Sequence, residues 1–235
     1  PLAAFCVEQG RWSSRGNEAV SSFASSAEAI PSREAKLAMR APLPPATPRS
    51  SEQRRSRAGD EPAPSRQSLV WDTVGKMQKK FSQGVNAKVA SPVSESSLQL
   101  ALENDALNKR RSVYIDALKA AGESSDDIIG YAFVINGKLN SADIYASNGL
   151  FRKMWSKQLQ SAATEAIGET SVNVDPVPSA DTVKTFLSDA KRGTVRQAAP
   201  DTRDRLEIRE GEKAVYFAAS SAASAGWVHE NYLAK

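Results

Sequence analysis

The fold turns on residues 128–145, which read IIGYAFVI, then NG, then KLNSADIY. Asn136-Gly137 between two β-rich runs predicts a hairpin, because both residues tolerate the positive φ that a type I′ turn requires. The first run is apolar on both faces, with Tyr131, Phe133 and Ile135 on one and Ala132 and Val134 on the other. That pattern predicts a strand at the centre of a sheet covered on two sides.

Beyond the hairpin, Asn148-Gly149 opens a helix in which Phe151, Met154, Trp155, Leu159, Ala162 and Ala166 recur at helical spacing. Gly168 stops it, and Arg152, Lys153 and Lys157 fall on the opposite, wet face. A further helix starts at Ser179, buries Val183, Phe186, Leu187 and Ala190, and ends at Gly193. The tail returns to strand over 194–197, 205–210, 213–219 and 226–233, with a turn at Gly211.

Before the hairpin, the spacing predicts one long helix from about Ser97 to Ala121. It would bury Leu98, Leu102, Ala106, Val113, Ala117 and Leu118 and end on Gly122 as a C-terminal cap. An earlier helix, capped by Ser68 and closed by Gly84, buries Val70, Val74, Met77 and Phe81. A hairpin, helices and then strands on short turns read as an α+β domain with an antiparallel sheet, about four helices and a C-terminal strand cluster. All 235 residues are expected to form one such domain.

Residues 41–66, APLPPATPRSSEQRRSRAGDEPAPSR, carry too little apolar surface to offset the entropy of ordering, so a long mobile loop is expected there. Arg49, Arg54, Arg55, Arg57 and Arg66 lie in that segment and Arg40 beside it. The basic excess of 31 Lys and Arg over 27 Asp and Glu therefore belongs largely to a loop. Nucleic-acid binding through Lys76, Lys79, Lys80 and the Arg152, Lys153, Lys157 face is a weak reading. The chain starts at Pro1 and runs at once into strand-like Leu2 to Val7, so it reads as a fragment lacking part of its N-terminus.

No stretch approaches the roughly 20 apolar residues that cross a bilayer, and no signal-peptide pattern opens the chain. A cytoplasmic protein is expected. The single cysteine, Cys6, excludes an internal disulfide framework and a Cys-based zinc site. No glycine-rich phosphate loop, nucleophile elbow, His-Glu-x-x-His or calcium loop is present, so no cofactor and no metal are expected.

The candidate site residues are accordingly few. Glu8, Arg11 and Trp12 lie in CVEQGRW (6–12), where Arg11 offers a planar fork to a carboxylate or phosphate and Trp12 a stacking face. The plain alternative is a salt-bridged turn with a core tryptophan. Asp143 is open between a hydrogen-bond anchor and a ligand contact. His229, the only histidine, reads most simply as structural or exposed, and more sharply as a general acid or base.

The CVEQGRW motif, Val70-Trp71-Asp72 with Val74, and the Gly130, Gly137, Asp143 pattern followed by Phe151, Trp155 and Leu159 resemble the domain family named for its association with ADP-ribosylglycohydrolases and rhodanese-phosphatases. The resemblance covers most of the chain but leaves the Pro/Arg segment unaccounted for. It also implies a further β-rich segment before the Cys-Val-Glu motif that this chain starts too late to include. The implied setting is nucleotide or ADP-ribose-linked metabolism or signalling, and the implied partners are a nucleotide-like small molecule or an ADP-ribose-processing enzyme. No catalytic residue carries over, which favours a non-catalytic recognition domain. The alternative is a carboxylate-dependent hydrolase using Glu8 or Asp143 with Arg11 as electrostatic stabiliser.

Overall fold

The computed structural model describes residues 29–40, 66–171, 174–200, 204–221 and 226–235. The expected strand at 2–7, the candidates Glu8, Arg11 and Trp12, and residues 41–65 of the expected 41–66 loop lie outside them; Arg66, the last residue of that expected loop, begins a helix instead.

The hairpin forms as its sequence requires: β1 (Gly130–Ile135) and β2 (Lys138–Tyr145) meet through Asn136 at φ 52 and Gly137 at φ 78. Its place in the sheet differs from expectation. The tail strands β3 (Thr194–Pro200), β4 (Asp204–Glu210), β5 (Ala214–Ser221) and β6 (Gly226–Ala234) join it in one antiparallel sheet, in the order β1-β2-β6-β5-β4-β3. β1 is thus an edge strand, half-buried throughout, and the tail strands extend the hairpin's own sheet. Its apolar character on two faces reflects helices near the edge, not a central position.

Helices cover both faces. Alternate residues of β1 and β2, Tyr131, Phe133 and Tyr145, pack on Phe151, Trp155 and Leu159 of α5 (Asn148–Gly168). The opposite set, Ala142 with Tyr216 and Tyr232, meets Phe186, Leu187 and Ala190 of α6 (Ala180–Lys191). Period-two alternation sends these two sets to opposite sides. Outside α5 lies α2 (Arg66–Val85), whose predicted stripe Val70, Val74, Met77 and Phe81 is buried against Leu98, Leu102, Leu107 and Ile167. The short α1 (Arg33–Arg40) packs on α2 and touches β6. Among the described residues no helix is long and apolar enough to cross a membrane.

The single helix expected over 97–121 is two, α3 (Leu98–Leu102) and α4 (Asp105–Glu123). Asn104 divides them: its side-chain oxygen accepts from the amides of Ala106 and Leu107, an N-cap that competes with continuation of the helix. The break resets the helical phase, so Leu107 is buried while Val113 and Leu118 are exposed. Gly122 is not a cap but a contact point, since a Cβ there would sit 2.2 Å from the Trp155 ring. Replacing Asn104 with alanine should lower unfolding stability by about 1 kcal/mol, read as a shifted urea midpoint at unchanged slope. An unaltered midpoint would mean that the cap contributes nothing.

Candidate functional site

On the α5 side of the sheet, strand register brings polar residues into line. Asp143 of β2 lies directly opposite Tyr131 of β1 and Asn231 of β6, and the next pair along is Tyr145 with His229. Cross-strand partners face the same side at close range, so these five side chains form one cluster.

Asp143 is its centre and is buried. Its Oδ2 accepts from the Tyr131 hydroxyl at 2.5 Å, and its Oδ1 is 2.7 Å from His229 Nε2 and accepts from Asn231 Nδ2 at 3.0 Å. A carboxylate facing Nε2 favours the tautomer with the proton on Nε2, which leaves Nδ1 as the acceptor of the neutral ring. The imidazole lies flat on the Tyr145 ring, 4.6 Å between centroids and 9° between planes. With its side chain 26% exposed against 5% for Asp143, His229 is the member of the pair that reaches outward.

Two cations of α1 overlook the cluster. Burial pulls the Lys36 ammonium below its ordinary range, against the opposing charges of Glu165 and Asp143. Burial likewise lowers Arg40, and the Asp143 charge opposes it. Burial first, and then the Asp143 charge, push the phenols of Tyr131 and Tyr145 upward, so both remain protonated donors at neutral pH. The Arg40 guanidinium lies 5.4 Å from the Phe217 ring centre, and its backbone oxygen accepts from Arg196. Arg40 Nη1 and Asn231 Oδ1 are buried with no hydrogen-bond partner among the described residues.

A β-bulge widens the polar region. The β1–β2 register shifts between Phe133 and Val134, leaving Asn140 without a cross-strand partner on β1. Its amide instead donates to Glu165 Oε1 at 3.1 Å, which also accepts the Arg33 amide at 2.6 Å.

Two further concavities lie elsewhere. A groove of about 690 Å³ runs between α6 and the start of β5, on the opposite face of the sheet; it is rimmed by Asp181, Asp189 and Glu212, with Lys213 as its one lining cation. A smaller pocket of about 250 Å³ sits beside the hairpin turn. Among the described residues no group of His, Cys, Asp and Glu could hold a metal ion.

Of the candidates read from sequence, Asp143 is thus at the centre of a cluster, and Glu8, Arg11 and Trp12 lie outside the described residues. Of the lysines and arginines weighed for nucleic acid, Lys80 bridges Glu34 and Glu169 and Arg152 pairs with Asp126. Sequence reasoning did not select Tyr131, Tyr145, Asn231, Lys36 or Arg40, and gave His229 its plainer reading. The one signal available for His229 was that it is the only histidine. Asn231, like His229, reaches Asp143 only through a strand pairing across more than eighty residues, which no local pattern announces; Tyr131 and Tyr145 lie in the hairpin itself, and Lys36 and Arg40 come from α1.

The family model described as the ARG and Rhodanese-Phosphatase-superfamily-associated Protein domain matches residues 1–233. No curated protein and no solved structure matches.

Proposed function

The chain belongs to this family of associated-protein domains, and we propose that it is a recognition domain that binds a small nucleotide-like ligand at the Asp143 cluster, in support of an ADP-ribose-processing enzyme. The observation that carries this reading is a pair of buried groups with no hydrogen-bond partner among the described residues, the donor Arg40 Nη1 and the acceptor Asn231 Oδ1. Native interiors leave few such groups unpaired, and a ligand bringing one acceptor and one donor answers both. The desolvated cations Lys36 and Arg40 suit an anionic body, and the Tyr145–His229 stack suits an aromatic base. The acidic groove on the far face repels phosphates and is the poorer choice for such a ligand. The cytoplasm, a reducing compartment, suits a chain with one cysteine.

A thermal-shift panel with ADP-ribose, NAD, nucleotides and sugar phosphates tests the proposal. A ligand at a hundred times its Kd adds about 2.7 kcal/mol of stability, and His229→Gln should abolish that shift while leaving the unliganded protein folded. A shift that survives His229→Gln unchanged would move the site away from this cluster.

A hydrolase is the second reading, favoured by the Asp143–His229 hydrogen bond at 2.7 Å. Because Asp143 already accepts from three donors, it would act by positioning His229, whose Nδ1 would take the proton from an attacking water. Any turnover found should then fall steeply in His229→Gln. Turnover unchanged in both His229→Gln and Asp143→Asn sinks this reading.

A further inference from the structure

We propose that the pocket beside the hairpin turn binds a phosphate dianion, either as orthophosphate or as the phosphate of a monoester. The cavity of about 250 Å³ is lined by Arg33, Lys138, Asn136, Asn140 and Thr170, and also by one acid, Glu169. Two cations from different elements thus face one small polar space, one at the start of α1 and one at the start of β2. Among the described residues no carboxylate pairs with the Arg33 guanidinium. Lys138 lies 3.7 Å from Asp175 with its side chain 77% exposed, a contact of little strength that leaves the ammonium able to turn inward. The lining acid, Glu169, is held by Lys80 at 2.6 Å, and Lys80 is not itself part of the lining, so the Glu169 charge is answered from outside the pocket.

The walls are fixed before any ligand arrives. Asn136 donates through its side chain to the Glu169 carbonyl at 2.5 Å, and its own carbonyl accepts from the Asp175 amide at 3.1 Å. A Cβ on Gly137 would lie 2.0 Å from the Asp175 carbonyl, so the turn sits flush on that segment. Asn140 is fixed from below by Glu165. Walls tied on three sides lose little freedom on binding. The Arg fork and the Lys point charge both match phosphate oxygens, and two cations call for a dianion, since a monocarboxylate would leave one of them unanswered. The Thr170 hydroxyl supplies a neutral donor for a remaining oxygen.

The test is a calorimetric titration of the full 235-residue chain with orthophosphate and, separately, with ribose 5-phosphate, at ionic strength held constant with sodium chloride. Saturable binding of at least one probe is expected, weakened roughly tenfold or more in Arg33→Ala/Lys138→Ala. Equal affinities for the two probes would identify the free anion as sufficient, and tighter binding of the monoester would place the sugar in the remaining volume. Arg152→Ala/Lys153→Ala, which removes two cations elsewhere on the surface, should leave binding unchanged, as should His229→Gln at the other cluster. Lys138→Gln alone, at a well-exposed position, provides a second variant should the double one misfold, and its affinity should also fall. Absence of saturable binding, equal losses in the two double variants, or full affinity in Lys138→Gln and Arg33→Ala/Lys138→Ala would overturn the proposal.

Discussion

Asp143→Ala should cost about 3–5 kcal/mol of unfolding stability, the range for removing one member of a buried charged network. The carboxylate accepts from the Tyr131 hydroxyl, His229 and Asn231, and its charge offsets the desolvation of Lys36 and Arg40. Alanine removes the acceptor of three donors, of which Asn231 keeps the Ala142 carbonyl at 3.4 Å, and leaves two half-buried cations with less compensation. Asp143→Asn is the informative comparison. The amide keeps one oxygen for His229 and Asn231, and the Tyr131 hydroxyl can rotate to accept from the new NH₂, so only the charge is lost. A loss of about 1–3 kcal/mol is expected there. Urea unfolding of both variants at neutral pH separates the hydrogen-bonding share from the charge share. A midpoint for Asp143→Ala close to that of the parent would show that the cluster contributes no stability.

That same cluster marks the limit of what the sequence discloses. Asn136-Gly137 announces the hairpin because the positive φ values are a property of two adjacent residues. The apolar stripe of α2 is equally local, and all four predicted positions are buried. The placing of β1 at the sheet edge is not local, because it follows from β2 pairing with β6 on its other side. An apolar strand at an edge covered by Phe151 and Trp155 has the same composition as one in the middle. Similarly, 97–121 has nearly continuous helical spacing, and what divides it is the Asn104 side chain outcompeting the backbone. Asp143 could be singled out as an acid on a strand next to a helix, but its partners His229 and Asn231 come from the last strand of the chain. Lys36 stands in a stretch with no predicted element, and Arg40 reads from sequence only as a charge beside the Pro/Arg segment.

A close approach of one helix to another gives the other large effect. Gly84, predicted to close α2, lies within the last turn of that helix, and a Cβ there would fall 1.9 Å from the Ile167 carbonyl oxygen of α5. Near the same crossing, a Cβ on Gly168 would come within 3.1 Å of the Phe81 ring. Phe81 and Ile167 belong to one buried cluster, so the two glycines let α2 and α5 meet across their shared core. An alanine at position 84 must push the helices apart, because the obstructing atom is backbone and cannot rotate away. The expected loss is about 3 kcal/mol, at the upper end of overpacking, even though alanine favours the helix by about 1 kcal/mol over glycine. Gly75, on the same helix, has no atom within 4 Å of its would-be Cβ. Gly75→Ala should therefore stabilise the protein by about 0.5–1 kcal/mol through propensity alone. Opposite signs in the two denaturation midpoints would locate the contact between α2 and α5 at Gly84, whereas two stabilising substitutions would mean that the helices do not approach there in solution.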